Sequence, residues 1–186
     1  KYGSSGRGSS SPTAIASVAF DVLNNRVLDA QLEPISVDER TLAIRHMENI
    51  KSKARTNLLY TMFVFDRGYA SKNLISYIED TIHASYLFRL RTKFNTDIDA
   101  VPAPLEQNGI SDSILILDGR KIRVIKFYLP SGILETLITN DFELDKENFR
   151  QCYFLRWPVE ENYKLIKEKI GLINFRGYSE NSILQE

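Results

Sequence analysis

Tyr153-Phe-Leu-Arg156-Trp-Pro-Val-Glu160-Glu-Asn-Tyr-Lys-Leu-Ile-Lys167 is the stretch from which the rest of the chain is read. Tyr153 and Arg156 are separated by two residues, Arg156 and Glu160 by three, Glu160 and Lys167 by six. At about 100° per residue, an α-helix would gather these four on one narrow stripe. Leu155, Val159, Ile166 and Ile170 would fall on a neighbouring stripe and form the buried edge. One acid among two cations and a tyrosine suits a surface that holds a metal ion and grips phosphates. Pro158 interrupts the pattern: either a helix starts with it at the first position, or a longer helix kinks there. Glu160 and Lys167 share a face in both cases, while the alignment of Tyr153 and Arg156 with them is less secure. An ordinary charged helix is the plain alternative, and the rest of the chain has to decide.

Working back from that stretch, two more acids stand out. Residues 57–65 form a nearly continuous apolar run, as in a strand covered on both faces. The run ends at Asp66-Arg67-Gly68-Tyr69, after which a helical pattern begins at 72–82. An acid just past the carboxyl end of a central strand is where α/β sheets place ligand-binding groups. Gly68 permits a tight turn and Ser71 can cap the helix. Taken alone, the same residues read equally as a turn with a solvated aspartate. Further upstream, residues 15–33 read as a β-hairpin with Asn24-Asn25 at the turn, and Asp21 lies in its first strand. A carboxylate in a half-buried strand is costly without a partner. Asp21 is thus either a surface-facing residue or a metal ligand whose cation offsets that cost.

The Y-(2)-R-(3)-E-(6)-K spacing resembles the signature of the DDE transposases of bacterial insertion sequences, in the group known as insertion-sequence family four. Chance gives such a match in about one chain in a thousand of this length. Ser17-Val-Ala-Phe-Asp21-Val-Leu-Asn resembles the strand carrying the first catalytic aspartate of that family, and Asp66-Arg-Gly-Tyr the second. Leu137-Ile-Thr-Asn140 and Leu172-Ile-Asn-Phe-Arg-Gly177 resemble its flanking segments, so the likeness covers roughly residues 12–186. The resemblance implies an α/β, RNase H-like fold: a mixed sheet flanked by helices, with a β-rich insertion before the last catalytic helix. It implies catalysis and metal binding by Asp21, Asp66 and Glu160, with Mg²⁺ or Mn²⁺, two ions, between the carboxylates. DNA contacts are expected from Tyr153, Arg156 and Lys167, and from Arg67. The implied reaction is metal-dependent hydrolysis at transposon ends, then 3′-hydroxyl strand transfer into target DNA, by a dimer in a synaptic complex. Two other functions fit the fold: another RNase H-like Mg²⁺-dependent nuclease, or an inactive transposase-derived DNA-binding or assembly module.

Composition agrees with this and excludes little more. Of 186 residues, 43% are hydrophobic and 11% aromatic, and 24 Lys+Arg balance 24 Asp+Glu. Zero net charge argues against a strongly basic DNA-binding module alone, but acidic metal ligands offset basic contacts in a DNA enzyme. Cys152 is the single cysteine, so neither an intrachain disulfide nor a Cys/His zinc site is expected. A single cysteine, no membrane-spanning apolar run and no visible signal peptide fit a reducing, intracellular setting, and the resemblance implies a cytoplasmic, nucleoid-associated bacterial one. Lys1 rather than Met stands first, which suggests a piece of a longer product, and the want of an upstream domain to read transposon ends can leave such a piece inactive without decay of its site.

The expected organisation is a flexible lead-in at 1–13, the first part of the core at 14–91, the β-rich insertion at 92–146, and the catalytic helix with a truncated remainder of the core at 147–186. The lead-in, Gly- and Ser-rich with Lys1 and Arg7, reads as a linker or as a DNA-contacting arm. Residues 36–54 read as a helix opened by a capping box, Ser36-x-x-Glu39, with His46 on its surface or partly packed. Residues 84–91 read as a strand whose Arg89 and Arg91 form a solvated face or a phosphate-facing rim. Within the insertion, 113–117, 121–129 and 133–139 read as a meander with turns at Asp118-Gly119 and Pro130-Ser131-Gly132. Its Lys121, Arg123 and Lys126 either meet DNA or guard a strand edge.

Overall fold

The structure, a computed structural model, describes residues 3–4, 12–53 and 58–156. The chain forms two compact units, one of Lys1–Ile50 with Leu155–Glu186, the other of Lys51–Phe154.

In the first unit, β1 (Gly3–Ser4) pairs with β2 (Pro12–Asp21), and β2 pairs antiparallel with β3 (Arg26–Pro34). A bulge at Ala19/Phe20 shifts the register, so that Asp21 comes to face Arg26. The turn is longer than the sequence pattern suggests, covering residues 22–25, with Asn25 left-handed at φ 50°. The strand stops at Asp21 because its carboxylate takes the turn's own donors: Leu23 N (3.2 Å), Asn24 N (3.0 Å) and Asn24 Nδ2 (2.8 Å). Helix α1 spans Glu39–Lys53. Its cap is Asp38, which accepts from Arg40 N at 3.1 Å, so the expected capping box at Ser36 is displaced by two residues. Asp38 lies next to the first helical turn, where a carboxylate also meets the positive end of the helix dipole. His46 is buried against the hairpin rather than surface-facing. Its Nδ1 lies 2.7 Å from Asp29 Oδ2 and its Nε2 2.9 Å from Ser17 Oγ, and Asn49 Nδ2 donates to the same Asp29 oxygen.

The second unit is a five-stranded mixed sheet in the order β4-β5-β8-β7-β6. Its strands are β4 (Met62–Phe65), β5 (Ser85–Arg89), β6 (Ile110–Leu117), β7 (Arg120–Tyr128) and β8 (Leu134–Thr139). β4 and β5 run parallel, and the remaining pairs are antiparallel. β4 is shorter than the apolar run, because Leu58–Tyr60 turn and Tyr60 is fully exposed. Among the described residues it stands first in this sheet's strand order. The crossover to β5 is α2 (Lys72–Tyr77), capped as expected by Ser71 Oγ, followed by a π-helical turn at Ile78–Ile82. It closes at His83, left-handed at φ 60°.

The meander is a continuation of the sheet, since β8 pairs with β5. Asp118 and Gly119 both have positive φ, the two-residue turn whose twist matches a hairpin. Asn140 secures the junction: its Oδ1 accepts from Tyr86 N and its Nδ2 donates to Ala84 O. A short helix, α3 (Thr96–Ala100), capped by Asn95, precedes the meander.

Alternation along the strands separates two faces. Leu87, Ile125, Phe127 and Leu137 meet Phe149 and Tyr153 of α4 (Lys146–Phe154) on one face. Full burial of each large side chain contributes about 1.5–3 kcal/mol, so this cluster is what holds α4 to the sheet. On the other face Tyr86 Oη donates to Glu79 and Phe88 stacks on Phe65 at 4.7 Å. Arg123 and Lys126 are buried in this fabric, and fit neither surface reading. Arg123 pairs with Asp112 and reaches Leu144 O, while Lys126 Nζ donates to Val101 O and Asp99 O. Desolvation lowers the Lys126 pKa, and the two carbonyls accept its hydrogen bonds in place of water.

Candidate active site

Asp66 follows directly on β4, at its carboxyl end, and the turn Arg67–Tyr69 closes with Tyr69 N donating to Asp66 O at 3.1 Å. The Asp66 side chain keeps 42% of its exposure, so solvent and ligands reach it. Tyr153, in the last turn of α4, comes to it from 87 residues away: its Oη donates to Asp66 Oδ1 at 3.2 Å. Arg89, the last residue of β5, donates from Nη1 to the same Tyr153 oxygen at 3.2 Å and stands 3.7 Å from Asp66 Oδ1. Behind Arg89 lies Glu135 of β8, only 2% exposed. It accepts from Arg89 Nε at 2.5 Å and from Arg89 Nη2, and a third bond comes from Arg67 Nη2 at 2.8 Å. Partial burial pulls the Arg89 pKa down, but the Glu135 bonds and Tyr153 outweigh it and raise it overall, so the guanidinium stays charged.

These five side chains form one chain of contacts, with two carboxylates balancing two guanidinium groups around a phenol. The cation over the Tyr153 ring, 5.6 Å from its centroid, adds to the fixation. Arg67 lies with Glu135, at the edge of the Asp66 turn. Sequence reasoning left Arg89 open between a solvated face and a phosphate rim, and it did not single out Glu135. A signal for Glu135 exists: like Asp21, it is an acid inside an apolar strand run, which demands a partner.

The other expected site residues are distributed as follows. Asp21 belongs to the first unit, and both its oxygens are engaged within its own hairpin, Oδ2 by Asn24 Nδ2 and by Arg26 Nε at 3.3 Å. The Asn24 side chain, more than Arg26, holds its pKa below the ordinary aspartate value. Arg156 is half-buried in the turn that follows α4. The helix stops at Phe154, so Tyr153 and Arg156 do not share one continuous helical stripe. Glu160 and Lys167 lie outside the described residues. Among the described residues no group of three or more His, Cys, Asp or Glu side chains is close enough to hold a metal ion.

The entire chain, residues 1–186, matches the family described as the transposase DDE domain. The chain belongs to that family. No curated protein matches it. Among solved structures, this DDE domain is similar to a piggyBac transposase, determined by cryo-EM as a synaptic complex with hairpin DNA. The TM-score is 0.50 at 8% identity, over 76% of this chain and 31% of that one, so the domain spans under a third of that transposase's length. The fold is thus α/β and RNase H-like, a mixed sheet flanked by helices.

DDE domains use divalent metal ions in general. Asp66 fits such an ion, being a hard oxygen donor at a strand end whose side chain is 42% exposed. Asp21 offers the same donor chemistry, but an ion would have to displace Asn24 or Arg26 from Oδ2.

Proposed function

We propose that this chain is the catalytic part of a DNA transposase of insertion-sequence family four, acting on transposon-end and target DNA. The observation that carries this is the Asp66–Tyr153 hydrogen bond: two motifs 87 residues apart, each matched to the family on sequence alone, are in contact. The neighbour's hairpin DNA supports a DNA substrate. In this reading Asp21, Asp66 and Glu160 hold Mg²⁺ or Mn²⁺, two ions, which when bound supply charge neutralisation and activation of the attacking oxygen.

The chain's own residues do the rest. Asp66 presents a carboxylate whose orientation is set by Tyr153 Oη, and Tyr153 is in turn held by Arg89. Arg156 and Lys167 bind phosphates near the cut end, and Arg67 supports the turn that carries Asp66. The overall reaction is hydrolysis of the phosphodiester at the element's end, followed by transfer of the freed 3′-hydroxyl into target DNA. Synapsis of two ends calls for at least a dimer.

The test is cleavage of end-sequence DNA with Mn²⁺ by the chain, by Asp66→Asn and by Glu160→Gln. Both variants are expected to lose cleavage while keeping wild-type unfolding curves. Nicking without strand-transfer products would replace the transposase reading with a nuclease. Binding of DNA with no cleavage by any of the three would favour an inactive module.

A further inference from the structure

The buried acid behind Asp66 has no role in the reaction just described, and its position gives it one. Glu135 comes from the strand run that follows Pro130, far along the chain from Asp66, yet its two oxygens take three hydrogen bonds from the two arginines beside Asp66. At 2% exposure it has little access to water, so those arginines are its compensation. Arg89 has a second acid within reach, since its Nη1 is already only 3.7 Å from Asp66 Oδ1. A guanidinium seated on Asp66 would occupy an oxygen that a cation needs.

We propose that Glu135 is a positioning residue of the Asp66 site: it ties back Arg89, so that Arg89 steadies Tyr153 without closing on the Asp66 carboxylate. This rests on the reading of Asp66 as a metal ligand. Glu135 draws Arg89 by Nε and Nη2 and leaves Nη1, which stands 3.7 Å from Asp66 Oδ1, to Tyr153. Neutralising Glu135 removes the restraint and frees the charge together. Shortening the Arg89–Asp66 separation from 3.7 Å to a direct contact of about 2.8 Å, at an effective dielectric of about 20, deepens the attraction enough to cost a competing cation about tenfold in affinity.

The test is Mn²⁺ binding to the full chain without DNA, read by electron paramagnetic resonance of the free ion. Glu135→Gln is expected to bind Mn²⁺ about tenfold more weakly than wild type. The double variant Glu135→Gln/Arg89→Gln is expected to bind Mn²⁺ several-fold more tightly than Glu135→Gln, because the nearest competing cation is gone, while staying below wild type because Tyr153 loses its Arg89 contact. A merely structural Glu135 predicts the opposite, a double variant no better than the single one, and that result overturns the proposal. So does wild-type affinity in Glu135→Gln. Should Glu135→Gln fail to fold, Glu135→Asp keeps the charge but shortens its reach. It is expected to weaken Mn²⁺ by a few-fold, again partly restored by Arg89→Gln, and absence of that restoration counts against the proposal equally. Asp66→Asn separates the two layers. If it binds Mn²⁺ like wild type, the metal-ligand reading of Asp66 fails and takes this inference with it. If only Asp66→Asn loses the ion, the ligand stands and the role of Glu135 falls.

Discussion

Tyr153 joins the core to the site, and two substitutions separate those duties. The residue is only 5% exposed within the cluster of Leu87, Ile125, Phe127, Leu137 and Phe149, while its oxygen bridges Arg89 and Asp66. Tyr153→Phe deletes only the oxygen. Hydrogen bonds to charged groups are each worth about 1.5–3 kcal/mol when well formed. Both bonds here are long, at 3.2 Å, and Asp66 is 42% exposed, so water takes over much of the lost pairing. The expected loss of stability is therefore about 1 kcal/mol, or a fall in Tm of about 2–4 °C. Tyr153→Ala removes the ring as well and is expected to cost about 3–5 kcal/mol, the usual range for emptying an aromatic site. Urea unfolding of both variants measures the difference. On DNA, Tyr153→Phe should slow Mn²⁺-dependent cleavage by roughly five- to tenfold, the kinetic equivalent of about 1 kcal/mol in Asp66 positioning. Equal stability losses in the two variants would refute the packing half of the reasoning. Cleavage at the wild-type rate in Tyr153→Phe would refute the positioning half.

Two further outcomes follow from the first unit. Because the Asn24 side chain and then Arg26 favour the charged Asp21, its folded pKa lies below the ordinary 3.8, so its stabilising effect is complete above that value and is lost as pH falls through the lower folded pKa. In chelator-treated buffer, Tm profiles of wild type and Asp21→Ala should lie apart at neutral pH and converge in acid, and a gap that widens in acid would contradict this. His46→Leu keeps most of the volume but takes the 2.7 Å partner from buried Asp29, at an expected cost of about 2–3 kcal/mol in urea unfolding. A neutral result would mean that Asn49 and Gln31 suffice for Asp29.

Much of the fold was legible because it is local. The Asp118-Gly119 turn, the strands around it and the Ser71 cap each depend on residues within a few positions of one another. Where local signals compete, the sequence is ambiguous: Ser36 and Asp38 are both good helix caps, and the choice fell to the residue immediately before the first turn. The apolar run at 57–65 could not announce that Tyr60 would be outside, since hydrophobicity does not record which way a chain turns.

Charges in strands were the hardest signals, and for one physical reason. Asp29, Arg89, Arg123, Lys126 and Glu135 each sit in a strand, and Asp29, Arg123, Lys126 and Glu135 are buried. A solvent-facing charge and a buried paired charge look the same in one dimension, because the free energy that separates them belongs to a partner elsewhere. For Asp29 that partner is 17 residues away, and for Glu135 it is 46. The cost of burying a lone carboxylate guarantees that such a partner exists, but not where it is. This is why the sequence could place Asp66 at a strand end, and family likeness could attach a chemistry to it, while Arg89 and Glu135, which fix its surroundings, stayed out of sight. Such a site is built from the motif outward, and its supporting charges become readable only when the strands β5 and β8 are side by side.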